Sequence, residues 1–148
     1  MDALMRIEED CFGSERFPAD VVRAFIERDD TFVVIAEDER AVLGSAMCMV
    51  SSDLGEGKIA SIAVLRKARG QGVGSALLEE CEAGFRAHDL RRYTLEVEVT
   101  NEPAMSLYSS RGYAVTGLVV GLYGAGRNGY AMEKRVGPGG TKVPVRDA

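Results

Sequence analysis

Apolar residues recur at helical spacing twice near the start of the chain. Leu4, Ile7 and Cys11 share one face of residues 2–12, with Phe12 beside them, and Gly13 stops the run. Pro18-Ala19-Asp20 opens a second helix with Val21, Val22, Phe25 and Ile26 as its stripe. From Thr31 the pattern changes. Thr31–Ala36 is a β-branched run, Glu37-Asp38-Glu39-Arg40 a charged turn, and Ala41–Val50 the returning strand of a hairpin. A polar loop over 51–57 leads to Lys58–Val64, apolar enough for a central strand. The next helix carries Leu77, Leu78, Cys81 and Phe85 as its buried stripe and Glu79, Glu80 and Glu82 as its wet face. Tyr93–Val99 alternates strictly and predicts a strand, and Asn101-Glu102-Pro103 starts a helix that ends at Gly112. Tyr113–Leu122 and Gly129–Val136 predict a last pair of strands, and residues 137–148 an exposed tail. The order α-α-β-β-β-α-β-α-β-β predicts an α/β sandwich, a mixed central sheet with helices on both faces, over a domain of residues 1–136.

Length and composition narrow the class. At 148 residues, 46% hydrophobic and 28% charged, the chain has the makeup of one ordinary globular domain. A net charge of -5 argues against nucleic acid as the main partner. Three widely spaced cysteines (Cys11, Cys48, Cys81) and a single histidine, His88, argue against a disulfide framework, a metal site or a Ser-His-Asp triad. No apolar run approaches the ~18 residues of a membrane span, and the acidic start MDALMRIEEDC is unlike a signal peptide. The expectation is a reducing, cytoplasmic location, no membrane partner, and a monomer or homodimer. Glycine is the one excess, at 17 residues.

Part of that excess falls where a strand passes into a helix, at Arg69-Gly70-Gln71-Gly72-Val73-Gly74-Ser75. A helix N-terminus presents unpaired N–H groups and partial positive charge, and glycines let the backbone wrap closely around an anion. Phosphate or pyrophosphate is the natural ligand. Arg66, Lys67 and Arg69 add a cationic rim to an acidic chain. The alternative is a glycine-rich turn that only connects strand to helix. A P-loop needs a Lys after the glycines, and none follows here. A Rossmann loop fits Gly70, Gly72 and Ser75 only loosely, and helices and a hairpin precede it.

Arg69-x-x-Gly72-x-Gly74 resembles the acetyl-CoA pyrophosphate loop of the GNAT N-acetyltransferases. Ser61-Ile62-Ala63-Val64 resembles that family's strand before the loop. Leu95-Glu96-Val97-Glu98-Val99-Thr100-Asn101, then Ala104, Leu107-Tyr108 and Gly112-Tyr113, is similar to the signature of the ribosomal-protein-alanine and other protein N-terminal acetyltransferases. Leu122-Tyr123-Gly124 and Ala131-Met132-Glu133 are similar to that subgroup's last hairpin. The likeness covers roughly residues 58–135. It departs at Arg66, where the family often has Pro, at Glu98, where an Arg is common, and in the family's first strand, which has no counterpart before the first helix.

The resemblance implies acetyl-CoA as co-substrate and a primary amine as acceptor, foremost the N-terminal α-amine of a protein or peptide, attacked directly in a ternary complex. A small-molecule amine acetyltransferase and a non-catalytic CoA-binding domain are the rival readings. Cofactor binding is implied for Ile62, Ala63, Val64, the loop Arg69 to Ser75 (Arg69, Gly70, Gln71, Gly72, Val73, Gly74, Ser75) and Asn101, whose alternative is a helix cap. Strand alternation points Glu96 and Glu98 away from the face of Leu95 and Val97. Glu96 is implied as general base and Tyr108 as the acid that protonates the leaving thiolate. Their alternatives are a solvated carboxylate and a core tyrosine. Glu98 is expected to orient a cationic amine within an acidic channel, and Phe17 and Tyr123 to touch the acceptor.

Overall fold

Asp38 sets the first hairpin. Its Oδ1 accepts from the N–H groups of Arg40 and Ala41, both at 2.8 Å, and its own N–H donates to the Ala41 carbonyl at 3.0 Å. The computed structural model describes residues 1–13 and 17–137. The expected tail, apart from Gly137, lies outside the described residues. Helices α1 (Asp2–Phe12) and α2 (Ala19–Ile26) are followed by strands β1 (Thr31–Glu37), β2 (Val42–Ser51) and β3 (Glu56–Val64). A 3-10 turn at Arg66–Ala68 leads to α3 (Val73–Ala87), and β4 (Arg92–Glu98), α4 (Glu102–Ser110), β5 (Ala114–Val119) and β6 (Gly129–Arg135) complete the chain. The strands form a six-stranded mixed sheet in the order β1-β2-β3-β4-β6-β5, with β3 and β4 parallel and the pairs β1–β2, β4–β6 and β5–β6 antiparallel. Strand β1 therefore lies at a sheet edge, and α1 is the first described element.

By contact the chain divides into two compact units. The first unit comprises Met1–Met49 and Ala60–Gly84. Its core gathers Leu4, Ile7, Val22, Ala46, Cys48, Leu77, Leu78 and Cys81, all at most 4% exposed. Two glycines permit its close approaches. A Cβ on Gly44 would stand 2.6 Å from the Ala63 carbonyl oxygen, and one on Gly84 would stand 2.5 Å from the Phe32 ring. Cys48 and Cys81 are buried neighbours, and the hydrogen bond between them, followed by burial, pushes the Cys48 thiol up. Glu82, expected on the wet face of α3, is buried. It stands four residues after Leu78 and three before Phe85, so helical geometry carries it onto the flank of the buried stripe.

The second unit comprises Val50–Ile59 and the described residues from Phe85 on. Here Tyr93, Leu95 and Val97 form the buried row of β4, with Met132 of β6, Phe85 and Tyr113. The Phe85 and Tyr93 rings lie 5.1 Å apart. The opposite row of β4 is Arg92, Thr94, Glu96 and Glu98, each partly exposed. Alternation on a single strand thus separates a core face from a chemical one.

Candidate active site

The glycine loop belongs to the first unit. Gly70 and Gly72 have φ of 77° and 79°, the left-handed region that costs any side chain strain, and a Cβ on either would meet nothing within 4 Å. The backbone is thus curled and open to an incoming group. The Gly72 carbonyl accepts from Ala76 N–H at 3.1 Å, which makes Gly72 the residue where α3 begins. No acidic residue stands in the first turn of α3, whereas α1, α2 and α4 carry Asp2, Asp20 and Glu102 there. Carboxylates complement the positive end of a helix, so that end of α3 is left for another anion.

The loop's approach is fastened by side chains. Asp10 accepts from Arg66 N–H at 3.1 Å, and Gln71 donates to the Lys67 carbonyl at 3.3 Å. The Val64 carbonyl accepts from Arg69 Nε at 3.1 Å and from Cys11 Sγ at 3.2 Å. Burial pushes the Cys11 thiol up, against the pull of the Arg69 hydrogen bond, so Cys11 stays a protonated donor. Ile62, Ala63 and Val64 lie at the end of β3 that runs into this loop. Phe17 is 40% exposed, and its N–H donates to the buried Glu8 carboxylate at 3.3 Å. A cavity of about 930 Å³ opens in this unit between α1, the β1–β2 turn and Leu65–Lys67; of the residues named above for the anion loop, Arg66 and Lys67 line it.

The carboxylates belong to the second unit. Glu96 faces away from the core, and its Oε1 accepts from Lys58 Nζ at 2.7 Å, with 42% of the Lys58 and 29% of the Glu96 side chain exposed. An ion pair this open contributes only about 0.2–1 kcal/mol. Glu98 is gripped from both sides of its carboxylate, by Arg127 Nε at 3.0 Å and Nη2 at 2.9 Å. That Arg127 hydrogen bonding, with help from its charge and from Thr100, holds the Glu98 carboxyl below the usual carboxylate range. Sequence reasoning missed both cations. Lys58 is a charged residue in a largely apolar strand and faces Thr94 only through the β3–β4 register. Arg127 lies in a glycine-rich turn without a pattern to read. On this face Glu96 and Glu98 are each matched by a cation.

Tyr123 comes to the same place. Burial, then the Glu96 and Glu98 charges, hold its phenol above the usual value, so it is a protonated donor beside both carboxylates. The turn that carries it is tied by Tyr123 N–H to the Arg127 carbonyl at 3.0 Å and by Gly121 N–H to Asn128 Oδ1 at 2.9 Å. Asn101 caps α4, its Oδ1 accepting from Ala104 N–H at 3.3 Å. Tyr108 on α4 is 5% exposed, its ring edge-on to Tyr113 at 6.2 Å.

The chain is similar to known proteins. An uncharacterised N-acetyltransferase of Methanocaldococcus jannaschii is 31% identical over 136 residues, 91% of this chain and 85% of its own length. N-alpha-acetyltransferase 30 of Schizosaccharomyces pombe is 30% identical over 103 residues, covering 68% and 69% of the two chains. Among solved structures, the ribosomal-protein-S18-alanine N-acetyltransferase of Escherichia coli superposes with a TM-score of 0.81 over 99% of this chain and 92% of that one. At 18% identity that likeness speaks to the fold. The model of the acetyltransferase (GNAT) family matches residues 1–113, from α1 through the glycine loop to the end of α4, and this chain belongs to that family of N-acetyltransferases.

Proposed function

We propose that this protein transfers acetyl from acetyl-CoA to the N-terminal α-amine of a protein or peptide, with Glu96 and Tyr108 handling the protons. The observation that carries the reading is the placement of Glu96. It is the carboxylate at the implied base position, it faces out of the core, and a weak single-point pair leaves it available. The relative in Schizosaccharomyces pombe, an N-alpha-acetyltransferase, supports the choice of amine.

The residues of the first unit suit the cofactor. The open curl of Gly70 and Gly72, the uncompensated start of α3 and the cationic rim of Arg66, Lys67 and Arg69 match a pyrophosphate. The edge of β3 at Ile62, Ala63 and Val64 offers backbone groups to an extended pantetheine arm. In the second unit, Asn101 has an amide to offer a ligand beyond its capping bond. Bound acetyl-CoA supplies the acetyl group as an activated thioester. The chain's own part is to place the amine and move protons. An α-ammonium must lose its proton before it can attack, and Glu96 accepts it. Tyr108 holds a phenolic proton for the departing sulfur, and Tyr123, its phenol near the Glu96 and Glu98 charges, helps orient the amine. Three free cysteines fit a reducing, cytoplasmic setting.

The test is incubation with acetyl-CoA against peptides that vary in their first three residues, with a parallel set of small amines, read by mass spectrometry. Acetyl should appear on peptide α-amines, and Tyr108→Phe should lower kcat at least ~10-fold while acetyl-CoA affinity is kept. Acetylation confined to the small amines would overturn the choice of acceptor.

A further inference from the structure

Every glutamate on the open face of β4 and its neighbours has a cation before any acceptor arrives. Glu56 and Glu133 meet Arg92 at 3.0 and 3.8 Å, and Arg135 also reaches Glu133 at 2.8 Å. Lys58 holds Glu96 at 2.7 Å, and Arg127 holds Glu98 at 2.9 Å. An acceptor amine enters as an ammonium and upsets this balance.

Arg127 and Lys58 are not equally able to give way. Arg127 bonds Glu98 at two points, and its backbone is fixed by bonds to Gly124 and Tyr123, both at 3.0 Å. Lys58 makes a single contact from a flexible four-carbon stem that is 42% exposed. Lys58 is therefore the cation that an incoming ammonium replaces. Once displaced, its charge stays beside the bound acceptor. One residue of extended peptide spans about 3.5 Å, so the side chain after the amine falls within the swing of that stem.

We propose that Lys58 is a specificity-determining residue: it selects α-amines followed by Asp or Glu over those followed by Lys or Arg. An acidic second residue takes up the displaced Lys58 ammonium and restores the balance, whereas a basic one is repelled by it. The inference rests on the N-terminal reading above and names its substrate class.

The test compares two peptides identical except for Asp or Lys at position two, by steady-state kinetics and by calorimetric binding in the presence of CoA. The native protein should favour the Asp peptide by about ten-fold or more in kcat/KM, chiefly through KM and binding, with kcat little changed. Lys58→Met should level the two peptides, and Lys58→Arg should keep the preference; unchanged melting temperatures would exclude a folding effect. Equal use of both peptides by the native protein, or an undiminished preference in a folded Lys58→Met variant, overturns the role of Lys58 alone. Failure to acetylate any α-amine overturns the N-terminal reading and this inference with it.

Discussion

Tyr123 lies over Gly129: a Cβ built at Gly129 would stand 2.9 Å from Tyr123 Cε2 and 2.7 Å from Leu122 Cδ2. Gly129 pairs with Glu98 across β4 and β6, so the missing side chain is what brings the Tyr123 ring down beside the glutamates.

Gly129→Ala should therefore lift Tyr123 and Leu122 off the sheet. Crowding of this kind costs roughly 1–3 kcal/mol, and both side chains are partly exposed and can yield, so the lower end is expected. The acceptor KM should rise several-fold with acetyl-CoA affinity unchanged. Steady-state kinetics with each substrate varied in turn checks this; an unchanged acceptor KM would place Tyr123 outside the acceptor site.

A second substitution separates cofactor binding from folding. Gly72 has φ of 79° with open space around its Cα. A Cβ there meets nothing, but a β-branched residue resists that left-handed backbone at a cost of about 1–2 kcal/mol. Gly72→Val should fold, with a modestly lower melting temperature, and lose acetyl-CoA binding. Calorimetry that finds native affinity in the folded variant would remove the loop from the cofactor site.

The glycine loop proposed for the cofactor was more legible in the sequence than the surroundings of the proposed base, and the reason is physical. Such a loop is local: its glycines, its helix start and its basic residues are consecutive, so residues 66–75 stand out as a candidate anion site from spacing alone. The two rows of β4 are equally local, because alternation alone separates Glu96 and Glu98 from Tyr93, Leu95 and Val97. The partners of those glutamates are not local. Lys58 reaches Glu96 across 38 positions and Arg127 reaches Glu98 across 29. Such pairs are set by strand register and turn shape, which periodicity does not encode. Glu82 shows the same limit within one helix, where charge suggested solvent and the angle around the axis decided for burial.

Glu8 supplies a pH test. It is only 3% exposed, and burial pushes its carboxyl up from the usual 4.5 against the opposing hydrogen bond from Phe17 N–H. A raised carboxyl means that the folded state holds its proton more tightly than the unfolded state. Stability is then undiminished below pH 4.5 and falls as pH rises through the folded value. Glu8→Gln keeps an acceptor for Phe17 N–H and never ionises. Its melting temperature should exceed that of the native protein at neutral pH, with the gap closing as the pH is lowered toward 4 or below. A gap that is constant with pH would show that ionisation of Glu8 costs the fold nothing.

The choice of amine is the centre of the account. An α-amine titrates near 7.7–8.0 and a lysine near 10.4, so at neutral pH freeing lysine costs roughly 3–4 kcal/mol more. A single carboxylate base such as Glu96, unaided by a histidine, is suited to the easier proton. The most direct measurement is a tandem mass spectrum of one peptide that carries both a free α-amine and an internal lysine, taken after brief incubation with the protein and acetyl-CoA. Acetyl on the α-amine, with the lysine scarcely modified, is the predicted result. Acetyl mainly on the lysine, with the α-amine bare, would contradict it.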